Sequence, residues 1–176
     1  MSTIKKFKWF WAWNDDKEEA WLAEMAQQGL HLEKIDLPGQ YTFRVGEPGN
    51  YVYRLDFQTM QSKDRDSYLQ LFEDAGWEHI GDMGGWVYFR HAVNGGEIPE
   101  IFSDLDSKLG KYQRLMTYLI IFLPIMTIIL PSVTASERYG PFFVILEALS
   151  AALILLFALA LVQIFRRINK LKATGK

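Results

Sequence analysis

Hydrophobic positions change period several times along the chain. From Phe7 to Trp13 the stretch FKWFWAW alternates, so Phe7, Trp9, Trp11 and Trp13 share one face of an expected strand. After Trp21 the apolar positions fall at helical spacing, Leu22, Met25 and Ala26, and the same spacing returns at Leu69 and Phe72. The segment YVYRLDF (51–57) alternates again, with Tyr51, Tyr53, Leu55 and Phe57 on one face and Arg54 and Asp56 on the other. Beyond Leu115 periodicity gives way to long, continuous apolar runs.

The first 97 residues contain a repeat. WLAEMAQQGLHLEKI from Trp21 and YLQLFEDAGWEHIGD from Tyr68 match at an offset of about 47, as seen at Leu22/Leu69 and Gly29/Gly76. Phe43–Arg44 and Phe89–Arg90 then match at an offset of about 46. Each copy reads as a helix, a glycine that ends it in the left-handed region, a strand, a turn (LPGQ or GDMGG) and a second strand. Asp15 or Asp16 is the expected cap of the first helix, and Asp64 or Asp66 of the second. The order β, αββ, β, αββ predicts an α+β domain: one antiparallel sheet with two helices on one face, ferredoxin-like in spirit but with an extra strand or two.

The apolar runs are Leu115–Val133, without a charge, and Phe142–Phe165, with one acid, Glu147. At about 1.5 Å per residue they reach roughly 28 and 36 Å, enough for a hydrocarbon core of about 30 Å. Lys108, Lys111 and Arg114 precede the first; Arg166, Arg167, Lys170, Lys172 and Lys176 follow the second. The connection between them offers only Glu137 and Arg138. This bias predicts a two-helix transmembrane hairpin in a plasma membrane, with the loop outside and both termini cytoplasmic. Pro124 and Pro131 are expected to kink or end the first span. Glu147 is either a functional intramembrane acid or an interfacial one that reaches water or Arg138. Ala148, Ala151 and Ala152 offer a small-residue face for helix contact.

The expected organisation is a cytoplasmic α+β domain (1–97), a juxtamembrane helix (98–114) capped by Ser103 with Asp106, spans at 115–133 and 142–165 around an external loop (134–141), and a basic tail (166–176). Charge follows the same division: residues 1–111 carry 12 Lys+Arg against 19 Asp+Glu, and residues 112–176 carry 7 against 2. An acidic first domain is poorly matched to phosphate backbones, which argues against direct nucleic-acid binding. The absence of cysteine excludes disulfides and thiolate chemistry.

No candidate chemistry assembles into a motif. His31, His79 and His91 lack metal-ligand spacing, although His79 and His91 lie on neighbouring expected strands and can meet beside Glu78 or Asp82. GDMGG lacks the lysine and hydroxyl residue of a phosphate loop, and no serine sits in a nucleophile elbow. Neither a catalytic residue, a metal nor a cofactor is expected. The aromatic residues leave two fates: core and helix cover, or an open sheet face that receives a ligand, a partner or a second copy of itself. On the second reading the binding residues are Trp77, Trp86, Arg90, Arg44, Arg54, Trp9 and Trp11, the arginines ringing the face or pairing with nearby acids. The functional expectation is a non-enzymatic, membrane-tethered interaction or sensor module that binds a protein partner or small ligand. The alternative is an accessory subunit of a transporter or other membrane complex, contacted mainly through the hairpin.

EEAWLAEMAQQGLHL, GNYVYRLDF, FEDAGWEHIG with GGWVYFR, and IFSDLDSKLGKYQR resemble the bacterial membrane proteins catalogued as domain of unknown function 2812, over about residues 4–114. The resemblance implies a bacterial membrane protein with a regulatory or envelope-stress role. It implies a PadR-type transcriptional regulator as a candidate partner, since many members are encoded beside one. It carries no catalytic residues.

Overall fold

A computed structural model describes residues 2–174 except 60, 61, 94, 96, 97, 103 and 135–140; for residues 62, 63, 122–134, 141–144, 146 and 147 it describes the backbone only. The chain divides into two units, Met1–Ser107 and Lys108–Lys176.

The first unit runs β1 (Thr3–Phe7), α1 (Asp15–Gln27), β2 (Leu30–Asp36), β3 (Gln40–Val45), β4 (Tyr51–Phe57), α2 (Ser62–Asp74), β5 (Glu78–Met83), β6 (Trp86–Ala92). The β, αββ, β, αββ order is as the pattern predicts, but the strands form two three-stranded antiparallel sheets rather than one: sheet A in the order β1-β3-β2 and sheet B in the order β4-β6-β5. Each repeat closes its own sheet because its last strand inserts between its first two, giving a split β-α-β twice over. The copies agree down to their irregularities. Register slips between Leu32 and Lys34 in sheet A and between His79 and Gly81 in sheet B, which places a bulge at Glu33 and at Ile80, 47 residues apart. Gly29 and Gly76 both end their helices with positive φ, 77° and 85°.

Coverage of the two sheets differs. In β3, Tyr41 and Phe43 are buried while Gln40, Thr42 and Arg44 face outward, so sheet A is covered on one face only. In β6 every residue from Trp86 to Arg90 is buried. Val87 and Phe89 pack with Val52, Phe72 and Trp77 beneath α2, and Tyr88 on the opposite face reaches α1. Helix α1 therefore lies between the sheets. Its Trp21 meets Tyr41 and Phe43 at ring-centroid distances of 4.9 and 5.6 Å. Glu19 closes the free edge of β4 by accepting the Leu55 N–H at 2.9 Å.

Several local expectations give way to different geometry. Strand β1 stops at Phe7, because β3 begins at Gln40, the partner of Phe7, and leaves Trp9–Trp13 with no strand to pair. Those tryptophans instead lead into the turn that opens α1, where Asn14 N–H donates to the Trp11 carbonyl at 2.8 Å. Asn14, not Asp15 or Asp16, is the residue before α1, and its side chain makes no cap bond; Asp15, Asp16 and Glu18 fall in the first turn, where the helix dipole favours acids. Helix α2 begins at Ser62, so Asp64 is a first-turn residue and Asp66 lies beyond it. Residues 98–102 and 104 are not helical. Pro99 disfavours helix at the residue before it, and Ile101 packs on the sheet B core.

In the second unit α3 is Leu105–Thr134 and α4 is Pro141–Thr174, so the expected juxtamembrane helix and first span are one helix, and most of the basic tail is helical. Asp104 caps α3, accepting the Ser107 N–H at 2.7 Å; Ser103 lies outside the described residues. Helix α3 continues through Pro124 and Pro131, each of which removes only one helical hydrogen bond at a cost of roughly 3 kcal/mol. Tyr112 of α3 accepts a hydrogen bond from Arg167 Nε of α4 at 3.4 Å. Leu109, Tyr112 and Leu115 are buried, as are Ser150, Ala160, Ile164 and Ile168, while Ala148, Ala151 and Ala152 are exposed. The contact face of α4 is thus the Ser150–Ile168 stripe, not the expected alanine face. Among the described residues one helix, Ala148–Thr174, is long and apolar enough to cross a membrane. The expected pair of spans reduces to that one candidate, since the side chains of α3 from 122 onward lie outside the description, as does that of Glu147.

Candidate functional site

The centre of the first unit is a buried carboxylate. Glu18, one turn into α1, accepts hydrogen bonds on Oε1 from Tyr41 Oη of sheet A and Tyr88 Oη of sheet B, both at 2.7 Å. Burial pushes the Glu18 carboxyl above the ordinary carboxylate value; the two tyrosine bonds pull it back, and Asp15 nearby pushes it up again. The tyrosines rise in turn, through burial first and then through the Glu18 charge, so they remain donors throughout the physiological range. A second buried acid, Asp56 on β4, accepts from Gln58 Nε2 at 2.6 Å and Tyr68 Oη at 2.9 Å. Neither acid is presented to solvent. Both are joints that lock a helix to a sheet. The sequence does not single out Glu18, because one acid in a helix that also carries Asp15, Asp16 and Glu19 looks like solvated surface.

The expected binding residues separate into three groups. Trp77 and Trp86 are buried; Trp77 packs with Phe72 and Phe89, and Trp86 meets Phe57 at 5.5 Å. Arg90 and Arg54 are paired. Arg90 holds Glu78 across the strands at 2.6 and 2.7 Å, lies 4.9 Å from the Tyr51 ring centre, and keeps its charge because Glu78 and Tyr53 outweigh burial. Arg54 forks onto Glu100 at 2.7 and 3.0 Å, with Glu19 at 3.6 Å, so it staples the segment around Glu100 and α1 to β4. The third group remains outward: Arg44, Trp9 and Trp11. The expected aromatic sheet face is therefore core in sheet B, where Tyr53, Leu55, Phe57 and Tyr88 are all buried.

Arg44 differs from its counterpart for a reason visible in the register. Arg90 stands opposite Glu78; Arg44 stands opposite His31 and Thr3, neither of them acidic. His31 is engaged by the Glu47 carbonyl at 2.8 Å through Nε2 and by the Tyr51 ring at 5.3 Å. Among the described residues Arg44 makes no ion pair. It stands on the open face of sheet A with Lys5, Phe7 and Thr42.

The histidines do not form a cluster. His79 pairs with Asp82 at 3.0 Å and His91 lies against the Trp77 ring at 5.2 Å, and no group of metal-ligating side chains occurs among the described residues. GDMGG resolves into the end of β5 and a two-residue turn, Gly84–Gly85, both with positive φ, as the twist of a tight hairpin requires.

No curated protein and no solved structure matches the chain. A family model does match, over residues 14–123, which covers the body of the first unit and the first part of α3: the chain belongs to the family described as protein of unknown function DUF2812.

Proposed function

We propose that this protein is a non-enzymatic, membrane-tethered interaction or sensor module of a bacterial plasma membrane. In this reading α3 and α4 form a hairpin with both termini in the cytoplasm, in keeping with the lysines and arginines beside each apolar run. The first unit presents the open face of sheet A to a protein partner, and a PadR-type transcriptional regulator is the candidate that the family's gene neighbours suggest. The observation that carries the reading is the contrast between equivalent arginines. Arg90 and Arg54 are consumed by carboxylates of the fold, whereas Arg44 projects from the face of sheet A that the described residues leave uncovered, beside Lys5 and Phe7. A non-catalytic role is supported by the fate of the acids: Glu18, Asp56 and Glu78 all serve tyrosine, glutamine or arginine partners within the fold.

The experiment is co-purification of the tagged full chain from its native membrane, read by mass spectrometry, beside the Arg44→Glu variant. The reading expects a partner that Arg44→Glu depletes about tenfold or more, the scale of a hot-spot arginine. Equal recovery with both chains would contradict it. A second reading, an accessory subunit of a membrane complex, is favoured by the open apolar groove that Met116, Ile120, Leu161, Val162 and Phe165 line between α3 and α4. There the partner would follow the helices and ignore Arg44.

A further inference from the structure

The N-terminal segment has a composition unlike the rest of its unit. Residues 1–13 hold three lysines, three tryptophans and two phenylalanines and no acid, in a unit where acids dominate. Phe10 packs on Trp21 and Tyr41, but the rings that flank it in the sequence stay outside. Phe7 is 68% exposed, Trp9 53% and Trp11 40%. The turn between β2 and β3 adds Leu37, 73% exposed, and it lies against the same place because Lys8 N–H donates to the Gly39 carbonyl at 3.0 Å and Phe7 pairs with Gln40. The rings are ordered among themselves: Trp9 meets Trp11 edge-on at 5.8 Å, and Trp11 stacks on Trp13 at 5.2 Å. Exposed Phe7, Trp9, Trp11 and Leu37 thus make an apolar knob at this end of sheet A; Lys5 shares the strand face of Phe7 and Lys6 takes the other, while Lys8 lies over the Trp21 ring at 4.8 Å.

We infer that this knob is a site for the surface of an anionic lipid bilayer, with the rings and Leu37 seated at headgroup level and Lys5 and Lys6 on the phosphates. Three properties fit a lipid surface, the second and third in preference to a protein. Tryptophan concentrates at membrane interfaces, where one edge is apolar and the other wet. Lysine is depleted from protein interfaces but is the usual partner of anionic headgroups, its long stem lying along apolar surface while the amine stays in water. The chain also carries a helix able to cross a bilayer, so that surface is the partner at highest local concentration. The inference rests on the membrane tether of the proposed function, and it assigns Lys5 and Phe7, which share a sheet A face with Arg44, to the bilayer rather than to the partner.

All six tryptophans lie between Trp9 and Trp86, and none in the second unit, so tryptophan fluorescence reports the first unit alone. The test is the full chain reconstituted into vesicles of phosphatidylcholine, with or without phosphatidylglycerol, whose acyl chains carry bromine near the glycerol end. The expected result is quenching that is stronger with phosphatidylglycerol and roughly halved by Lys5→Glu with Lys6→Glu. Phe7→Ser with Leu37→Ser, exposed positions that leave every tryptophan in place, is expected to reduce it comparably. Unquenched fluorescence in phosphatidylglycerol vesicles that float with bound protein would overturn the inference and leave the tether standing. So would quenching insensitive to both double variants. Protein that fails to float with vesicles would overturn the tether and the inference together. Association of two copies through the knob, seen as cross-links without quenching, would also count against it.

Discussion

Gly29 and Gly76 occupy equivalent positions, yet their surroundings set different penalties for a side chain. Both have positive φ. A β-carbon on Gly29 would meet the Gly46 carbonyl oxygen at 2.4 Å, and that backbone is fixed by the Gly46 N–H bond to the Gly29 carbonyl at 2.9 Å. A β-carbon on Gly76 would meet only the His91 ring, at 3.1 Å, a side chain able to shift. Gly76→Ala should therefore cost about 1 kcal/mol, the left-handed penalty alone, and Gly29→Ala about 2 kcal/mol or more. Denaturant unfolding followed by tryptophan fluorescence checks the order; equal losses would show that the Gly46 contact relaxes. The same scale explains the two arginines: one residue, glutamate or histidine opposite, decides whether the cation is absorbed or left outward.

At the scale of elements, α1 is the wedge that makes two small sheets one body, and Glu18 is its polar pin. Its raised carboxyl value has a definite sign. A carboxyl that holds its proton more tightly when folded contributes stability at low pH, and that contribution falls as pH climbs from the ordinary value of 4.5 through the raised one. Glu18→Gln keeps an oxygen for both tyrosines and does not titrate. The stability of the native protein relative to Glu18→Gln should therefore decline from about pH 4.5 upward. Parallel unfolding free energies across that range would show that the carboxyl is not perturbed by burial. Much of this level was legible beforehand. The helix-glycine-strand repeat came from matched offsets at Gly29/Gly76 and Arg44/Arg90. The division into two sheets was hidden, because a split β-α-β depends on which strand inserts between which, and alternation does not encode that. One clue was present: WVYF (86–89) is an unbroken aromatic and aliphatic run, as a strand covered on both faces requires, while QYTFRV alternates. The strand expected at FKWFWAW failed for a related reason, since a strand ends where its partner ends, whatever its own pattern. Of the candidate residues, Arg54 and Arg90 owe their fate to Glu100 and Glu78, and Trp77 and Trp86 to the rings of Phe72, Phe89 and Phe57, partners that the spacing of the chain does not disclose.

On the scale of the molecule, an acidic α+β body is joined to a pair of long helices, and the two units present separate surfaces: the open face of sheet A with Arg44, and the apolar helix Ala148–Thr174. In the proposed reading recognition falls to the first and the membrane span to the second. The most direct measurement exchanges residues 108–176 for an unrelated membrane-spanning hairpin and repeats the co-purification. The account predicts that the chimera keeps the native partner, and that Arg44→Glu removes that partner from the chimera as from the native chain. A partner lost with the exchange and indifferent to Arg44→Glu would contradict it, and would place recognition in the helices.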